Sequence, residues 1–449
     1  MESKVVTRMA PSPTGLFHIG SVRTALYNYL FTEQNKGKFI LRIEDTDKER
    51  SKKEFEDNII ESLKWLGIAY DDFYRQSERT DIYKNYLQKL IDNKFAYWSS
   101  PEDEELGASL SKRQIDKEKN RSSVIRFSNV GKKIKFNDLV LREIEFDTTE
   151  LGDFVIAKDL ETPLYHFAVV VDDIEMGITH IIRGQDHVSN TARQILILEA
   201  LGGERPQYAH IPLILSPDKQ KLSKRHGALP VLEYKELGYL PEAVLNFLAL
   251  IGWNPGTEKE IFTLGDLIKE FSLERVQKSG GVFNIEKLNW INKEHIKKLS
   301  SENFWKNAKP FLPNIEIDDL QDKEQIIRER IEKFSDLEKF FIKGGELYFF
   351  FHKPEYEKSK LVYKNTSPEK IKNNLELAIK ALTDLDENNF TQENIKTTLM
   401  NIADKLESRG ELLHPVRYAL SGLDKSPDPF TISAVIGKNE TLSRLQKAI

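Results

Sequence analysis

Short apolar runs alternate with amphipathic stretches through the first half of the chain, and helical spacing alone fills the second. Residues 5–9 are strand-like, then Pro11, Pro13 and Gly15 break the pattern ahead of a helical stretch over about residues 21–32. In FILRIED, residues 39–45, Phe39, Leu41 and Ile43 share one face while Ile40, Arg42 and Glu44 share the other, which puts Glu44 near a strand end. Over residues 49–66, Phe55, Ile59, Leu63 and Leu66 recur at spacings of three and four and Gly67 closes the run, predicting a crossover helix. Strands joined by helices pair in parallel, and such an open sheet takes ligands beyond the carboxyl ends of its strands.

From about Ser99 to Asn137 the chain turns polar, with the charge-rich SKRQIDKEKNR, before strand-like pieces return at VIRF, DFVIA and LYHFAVVVDD. An insertion in the sheet is expected there. THIIRG, residues 179–184, reads as another strand; Ser189 or Asn190 is placed to cap a helix running to Leu201; AHIPLIL reads as a strand before the basic loop SPDKQKLSKRHG. Beyond about Pro230 helix follows helix with no strand. The expected fold class is α/β plus all-α, a parallel-sheet domain split by an inserted module and followed by a helical half.

Composition narrows this. A chain of 449 residues exceeds what one core usually serves, and no apolar run approaches the ~20 residues that span a bilayer. Residues 1–11 carry no apolar stretch of signal-peptide length, so a cytoplasmic protein without membrane contact is expected. Cysteine is absent, which excludes disulfides, thiol nucleophiles and thiolate metal sites. The net charge of -5, from 66 basic and 71 acidic side chains, neither announces nor excludes a nucleic-acid partner.

Two segments carry candidate chemistry. PSPTGLFHIGS, residues 11–21, lies between the first strand and the first helix, where a glycine turn admits phosphate to a helix N-terminus and His18 adds a donor. An isolated HIG triplet is more often a turn with a buried histidine. Gly15 and Gly20 have Walker spacing but are followed by Ser21 and Val22, so this is no P-loop, and no GxGxxG follows any strand. KLSKR, residues 221–225, with Lys219 just before, sets four cations in seven residues of a loop after the last strand. A lone basic pentapeptide is usually solvated surface, but ammonium groups also suit polyphosphate. Together the two loops would meet across the carboxyl edge of the sheet.

In this arrangement the chain resembles the class I aminoacyl-tRNA synthetases, with HIGS (His18 to Ser21) and KLSKR as variants of their HIGH and KMSKS signatures. RMAPSPTG at 8–15, LRIEDTDKER at 41–50, VVVDDIEMGITHIIRGQDH at 169–187 and KLSKRHGA at 221–228 resemble the glutamyl branch, in order, through at least residues 5–255. GELLHPVRYALSG, residues 410–422, is like that family's anticodon-binding region, where Arg417 and Lys438 are weighed between surface and anticodon contact.

The resemblance implies a Rossmann-like catalytic domain in two halves, 1–98 and 171–230, around an acceptor-stem module at 99–170. A helical stem-contact domain at 231–305 and an anticodon-binding domain at 306–449 would follow. It implies ATP-dependent ligation of glutamate to the 3′-terminal adenosine of tRNA(Glu) through glutamyl-adenylate, with Mg2+ accompanying ATP. A monomer is expected, and tRNA(Gln) stays open as a second acceptor. By the same resemblance glutamate would meet Arg8, Ala10, Ser12, Glu44, Tyr165 and Arg183. ATP would meet Pro11, Thr14, Gly15, His18, Gly20, Asp186, Leu222, Ser223, Lys224 and Arg225, with His187 a neighbour. His18, Gly20, Ser21, Lys221 and Lys224 would serve the chemistry.

Some members carry a cysteine zinc site in the inserted module; here Trp98, Ser99 and Ser100 occupy that stretch, so no zinc or other protein-held metal is expected. The aromatics around Trp98 are read as packing. A glutaminyl synthetase would prefer an amide where Arg8 seeks a second carboxylate, and the truncated paralogue that glutamylates a modified tRNA base lacks the helical half. A nucleotide- or RNA-binding regulator that kept the fold without catalysis would be expected to lose one of His18, Lys221, Lys224, Arg8 or Glu44, and all five are present.

Overall fold

The computed structural model describes residues 4–99, 123–220, 222, 229–313 and 315–449. It contains two compact units, Met1–His295 and Ile296–Ile449.

In the first unit, β1 (Val6–Met9), β2 (Lys38–Ile43) and β3 (Asp72–Arg75) pair in parallel in that order. They are connected by α1 (Ile19–Gln34) and α2 (Lys53–Leu66), and α3 (Thr80–Asp92) follows. Gly67 ends α2 in the left-handed region at φ 71°, which a residue without Cβ adopts at no cost. Ile59, Leu63 and Leu66 are its buried stripe.

The inserted stretch makes a small antiparallel sheet from β4 (Ala96–Ser99), β5 (Val124–Phe127) and β8 (Phe154–Ala157). It also makes a hairpin of β6 (Lys133–Asp138) and β7 (Arg142–Asp147). The strand in KIKFND went unread within the polar stretch, although its period of two is plain: Ile134, Phe136 and Asp138 are buried and the residues between are exposed. Phe95, Tyr97 and Trp98, read as packing, instead stand exposed, Trp98 at 46%.

LYHFAVVVDD is a helix, α4 (Tyr165–Glu175), rather than a strand. Residues 167–173 are all buried, so the valines face apolar neighbours all round and burial overrides their β preference. Next come β9 (His180–Gly184), α5 (Val188–Ala200) and β10 (Gln207–Ile211). Neither Ser189 nor Asn190 caps α5; both lie inside it, because the helix continues from the turn at Gln185–His187 with His187 at the N-cap position. β9 and β10 pair in parallel with Arg183 opposite His210, and β6 joins β10, giving the order β7-β6-β10-β9. The Val6 N–H donates to Thr179 Oγ1 at 2.8 Å and the Thr179 N–H to the Val6 carbonyl at 3.0 Å, so β1 starts beside β9. β11 (Ile214–Leu215) pairs with β12 (Gly281–Val282), a short strand in the region read as wholly helical.

In the second unit, helices Pro368–Thr383, Gln392–Ala403, Gly410–Ser421 and Pro429–Ala448 close on Leu375, Ile395, Leu399, Val416 and Ile432. Arg417 donates to Ser426 Oγ at 3.0 Å and Lys438 to the Thr383 carbonyl at 2.8 Å, so both cations are engaged within the unit. Among the described residues no helix is long and apolar enough to cross a membrane.

Candidate active site

A cleft of about 400 Å³ opens where β1, β2, β9 and β10 end. One end is charged and buried. Arg8, Glu44 and Arg183 line it at 4%, 6% and 6% exposure, with Ala10, Ser12 and Tyr165 beside them. Burying a charge is costly unless it is paired; Arg8 and Glu44 are paired, whereas Arg183 meets, among the described residues, only neutral acceptors, His210, Thr191 and the His187 carbonyl. Arg8 donates through Nε to Asp173 Oδ1 at 3.2 Å. Arg42, fully buried, donates to the same oxygen at 2.7 Å and to Glu44 Oε1 at 3.1 Å. Behind it Asp172 accepts from Gln76, Arg79 and Tyr83 at 2.7–3.0 Å.

Burial pushes the Asp173 carboxyl up, but Arg8 and Arg42 outweigh it and hold it below the usual range. Burial wins at Glu44, whose pKa stays raised although Arg42 and Arg8 pull it down. Arg183 is lowered by burial; it packs against acceptors on one side, and its Nη1 is buried without a protein partner among the described residues. Tyr165 OH lies 3.2 Å from His187 Nδ1.

The other end is built from loops and helix starts. Pro11, His18, Gly20, Ser21, Asp186, His187 and Leu222 line it, while Thr14 and Gly15 stand exposed on the loop outside the cleft wall. His18 is the N-cap of α1, and its Nδ1 accepts the Ser21 N–H at 3.4 Å. With Nδ1 accepting, the neutral ring carries its proton on Nε2. A Cβ at Gly20 would sit 3.2 Å from the His18 ring, so glycine lets the imidazole fold over the helix start. The loop is pinned by Glu44 N to the Pro11 carbonyl at 2.9 Å, Lys52 N to the Pro13 carbonyl at 3.0 Å and Phe17 N to Asn58 Oδ1 at 2.8 Å.

Lys221, Ser223, Lys224 and Arg225 lie outside the described residues. The residues around them are placed: the Leu222 N–H donates to the Ile214 carbonyl at 3.1 Å, and on the far side Pro230 bridges to His18 while the Val231 N–H donates to the Phe17 carbonyl at 2.8 Å. The HIGS loop is therefore tied to Pro230 and Val231, the residues at the start of the next helix. Among the described residues no group of three or more His, Asp or Glu could hold a metal ion.

Sequence reading missed the residues that hold the charged ones: Arg42, Asp172, Asp173, Thr191, His210 and Asp138. A signal existed for the first, since Arg42 and Glu44 share a strand face; the strand assignment of LYHFAVVVDD hid the two aspartates.

A parallel α/β sheet whose carboxyl edge carries the HIGS loop and a cleft lined by buried Arg8, Glu44 and Arg183 is the arrangement of a class I tRNA synthetase. Residues 4–290 match the family described as tRNA synthetases class I (E and Q), catalytic domain, residues 303–449 match the anticodon binding domain family, and the chain belongs to that synthetase family. Glutamate–tRNA ligases are among its full-length relatives. That of Carboxydothermus hydrogenoformans is 41% identical, with 98% of this chain and 99% of the relative covered; that of Thermodesulfovibrio yellowstonii is also 41% identical, with 99% of each covered. A crystal structure of a glutamate tRNA ligase from Elizabethkingia meningosepticum in complex with its amino acid superposes with a TM-score of 0.83 at 36% identity, covering 99% of each chain.

Proposed function

We propose that this chain attaches L-glutamate to the 3′-terminal adenosine of tRNA(Glu), using ATP and forming glutamyl-adenylate on the way. The observation that carries the reading is Arg183 Nη1, buried without a protein partner among the described residues at the wall of a cleft that also holds Arg8 and Glu44. A buried guanidinium N–H at a cleft wall suits an anion. Glutamate brings two carboxylates and one ammonium: Arg183 and Arg8 take the carboxylates, Glu44 faces the ammonium, and Ala10, Ser12 and Tyr165 close the shell.

In the first step an oxygen of the glutamate α-carboxylate attacks the α-phosphorus of ATP and the bond to the β-phosphate oxygen breaks, releasing pyrophosphate. In the second, a ribose hydroxyl of the terminal adenosine attacks the activated carbonyl, its proton is lost, and AMP leaves. Neither step needs a protein nucleophile; orientation and stabilisation of phosphate charge suffice. His18, with Gly20 and Ser21 at the start of α1, meets the phosphates at their near end. Pro11, Thr14, Gly15, Asp186, Leu222, Ser223 and Arg225 frame the nucleotide. Lys221 and Lys224 stabilise the pyrophosphate as it separates. Mg2+ bound to ATP would offset part of the phosphate charge, with no residue of this chain assigned to hold it.

Residues 1–98 and 171–230 act as the catalytic halves, 99–170 as the acceptor-stem module, 231–305 as stem-contact helices and 306–449 as the anticodon reader. The protein works as a cytoplasmic monomer, with tRNA(Gln) as a second acceptor to be tested. The experiment is charging of total tRNA with radiolabelled glutamate and, separately, with radiolabelled glutamine, in the presence of ATP and Mg2+. Glutamate charging is expected; no charging by a folded, ATP-binding chain sinks the reading and leaves the non-catalytic regulator.

A further inference from the structure

Arg183 is gripped on one side by acceptors. Its Nε donates to His210 Nε2 at 3.2 Å, and its Nη2 donates to Thr191 Oγ1 at 2.8 Å and to the His187 carbonyl at 3.4 Å. A guanidinium only donates, so His210 Nε2 has to offer a lone pair and the ring proton has to sit on Nδ1. Nδ1 lies 2.6 Å from Asp138 Oδ2, and both side chains are fully buried. Asp138 is itself fixed: Oδ1 accepts from the Val140 and Leu141 N–H groups at 2.9 and 2.8 Å, and the His210 N–H points at both oxygens. Phe136 and Tyr208 flank the imidazole.

The protonation states agree with this geometry. Burial lowers the His210 pKa, with Asp138 restoring only part of it and the Arg183 charge lowering it further. Burial alone would raise Asp138, but the bonds from His210 and Leu141 outweigh that and keep it ionised.

We propose that Asp138 and His210 are positioning residues for glutamate recognition: the carboxylate fixes His210 as its Nδ1–H tautomer, whose Nε2 lone pair holds Arg183 with Nη1 left for substrate. The proposal rests on Arg183 as the glutamate contact of the function proposed above. Asp138 ends β6, so the charge that sets the tautomer comes from the hairpin between the two catalytic halves.

Asparagine at 138 exposes the dependence. Its amide oxygen has to take the Oδ1 place, where Val140 and Leu141 both donate, which leaves the NH2 facing His210 Nδ1. That donor forces the imidazole proton to Nε2, where it confronts the Arg183 Nε–H. Glutamine at 210 behaves differently: in the same place its NH2 can donate to Asp138 while its oxygen accepts from Arg183, and leucine at 210 offers neither.

The test combines steady-state charging kinetics with 15N spectra of the histidine-labelled full chain, His210 being assigned by its loss in His210→Gln. Expected are an Nδ1–H tautomer in the unmodified chain and an Nε2–H tautomer in Asp138→Asn. Asp138→Asn should raise the glutamate KM on the order of tenfold, with kcat and the ATP KM within about twofold. His210→Gln should stay near the unmodified KM while His210→Leu rises, a split that a purely structural role at 210 would not produce. An Nε2–H tautomer in the unmodified chain overturns the proposal. So does an unchanged glutamate KM in Asp138→Asn despite the tautomer switch, or an equal KM in the two position-210 variants. If Asp138→Asn does not fold, the position-210 pair and the unmodified spectrum still decide. An unmodified chain with the Nδ1–H tautomer that charges no glutamate overturns the functional reading instead.

Discussion

At the charged end of the cleft, which the proposed function gives to the amino acid, Arg8, Glu44 and Arg183 are buried and each is held by further buried groups, Asp173, Arg42, Thr191 and His210. At the other end His18 is exposed and the groups lining the cleft belong to a helix start and a pinned loop; in the proposed function this end meets phosphate, with the lysines supplied by a separate segment. The contrast fits what each end would do in the proposed function. Telling a carboxylate from an amide requires fixed, desolvated charge, because a buried cation left unpaired rejects the neutral analogue strongly. Stabilising phosphate charge only as it develops suits groups that adapt to the moving atoms, and a compact ammonium on a long stem does that.

The comparison is broken most severely by removing Asp173. Asp173→Ala leaves Arg8 and Arg42 without their shared buried carboxylate, and a loss of about 3–5 kcal/mol of stability is expected, read as a lowered thermal midpoint. An unchanged midpoint would mean the charged end is not held as a network. The next effect is kinetic: in the proposed function Lys224→Ala removes a transition-state donor, so kcat should fall on the order of a hundredfold, about 3 kcal/mol, with normal stability.

Acid separates the ends further. His166, His180, His187 and His210 all have pKa values lowered by burial, His166 to about 4. Above pH 6.5 both folded and unfolded chains hold them neutral. As pH falls through 6.5 the unfolded chain takes up protons that the folded one refuses, so stability should drop from there downward, with the thermal midpoint falling about 2–4 °C for each kcal/mol lost. A flat midpoint from pH 7 to 5 would contradict this.

The smallest effect concerns Glu44. Its raised pKa means that acidification neutralises it earlier than an ordinary carboxylate, in an environment shared with Arg42, Arg8 and Asp173. The glutamate KM should therefore climb as pH falls toward that pKa, and Glu44→Gln should start with a high KM and lose that pH dependence.

Much of this was legible in the chain because periodicity and motif spacing are local. The α2 stripe, β1, β2 and β9, and the HIGS loop follow from residues near one another in sequence, and so does the placing of Arg8 and Arg183 near the carboxyl ends of β1 and β9 and of Glu44 just past β2. What escaped depends on contacts distant in sequence. The valines preceding Asp172 and Asp173 look like a strand until burial all round makes them a helix. The pairing of Asp138 with His210 joins residues 72 positions apart through the register of β6 and β10, which no pattern within either segment encodes.

The most direct test of the division between the two ends is to measure kcat and KM for glutamate in Arg183→Gln and Lys224→Ala side by side. A glutamate KM raised on the order of a hundredfold with little change in kcat is expected for Arg183→Gln, and the converse for Lys224→Ala. If both substitutions depress kcat and leave KM alone, or both raise KM alone, the buried end does not select the amino acid and the account fails.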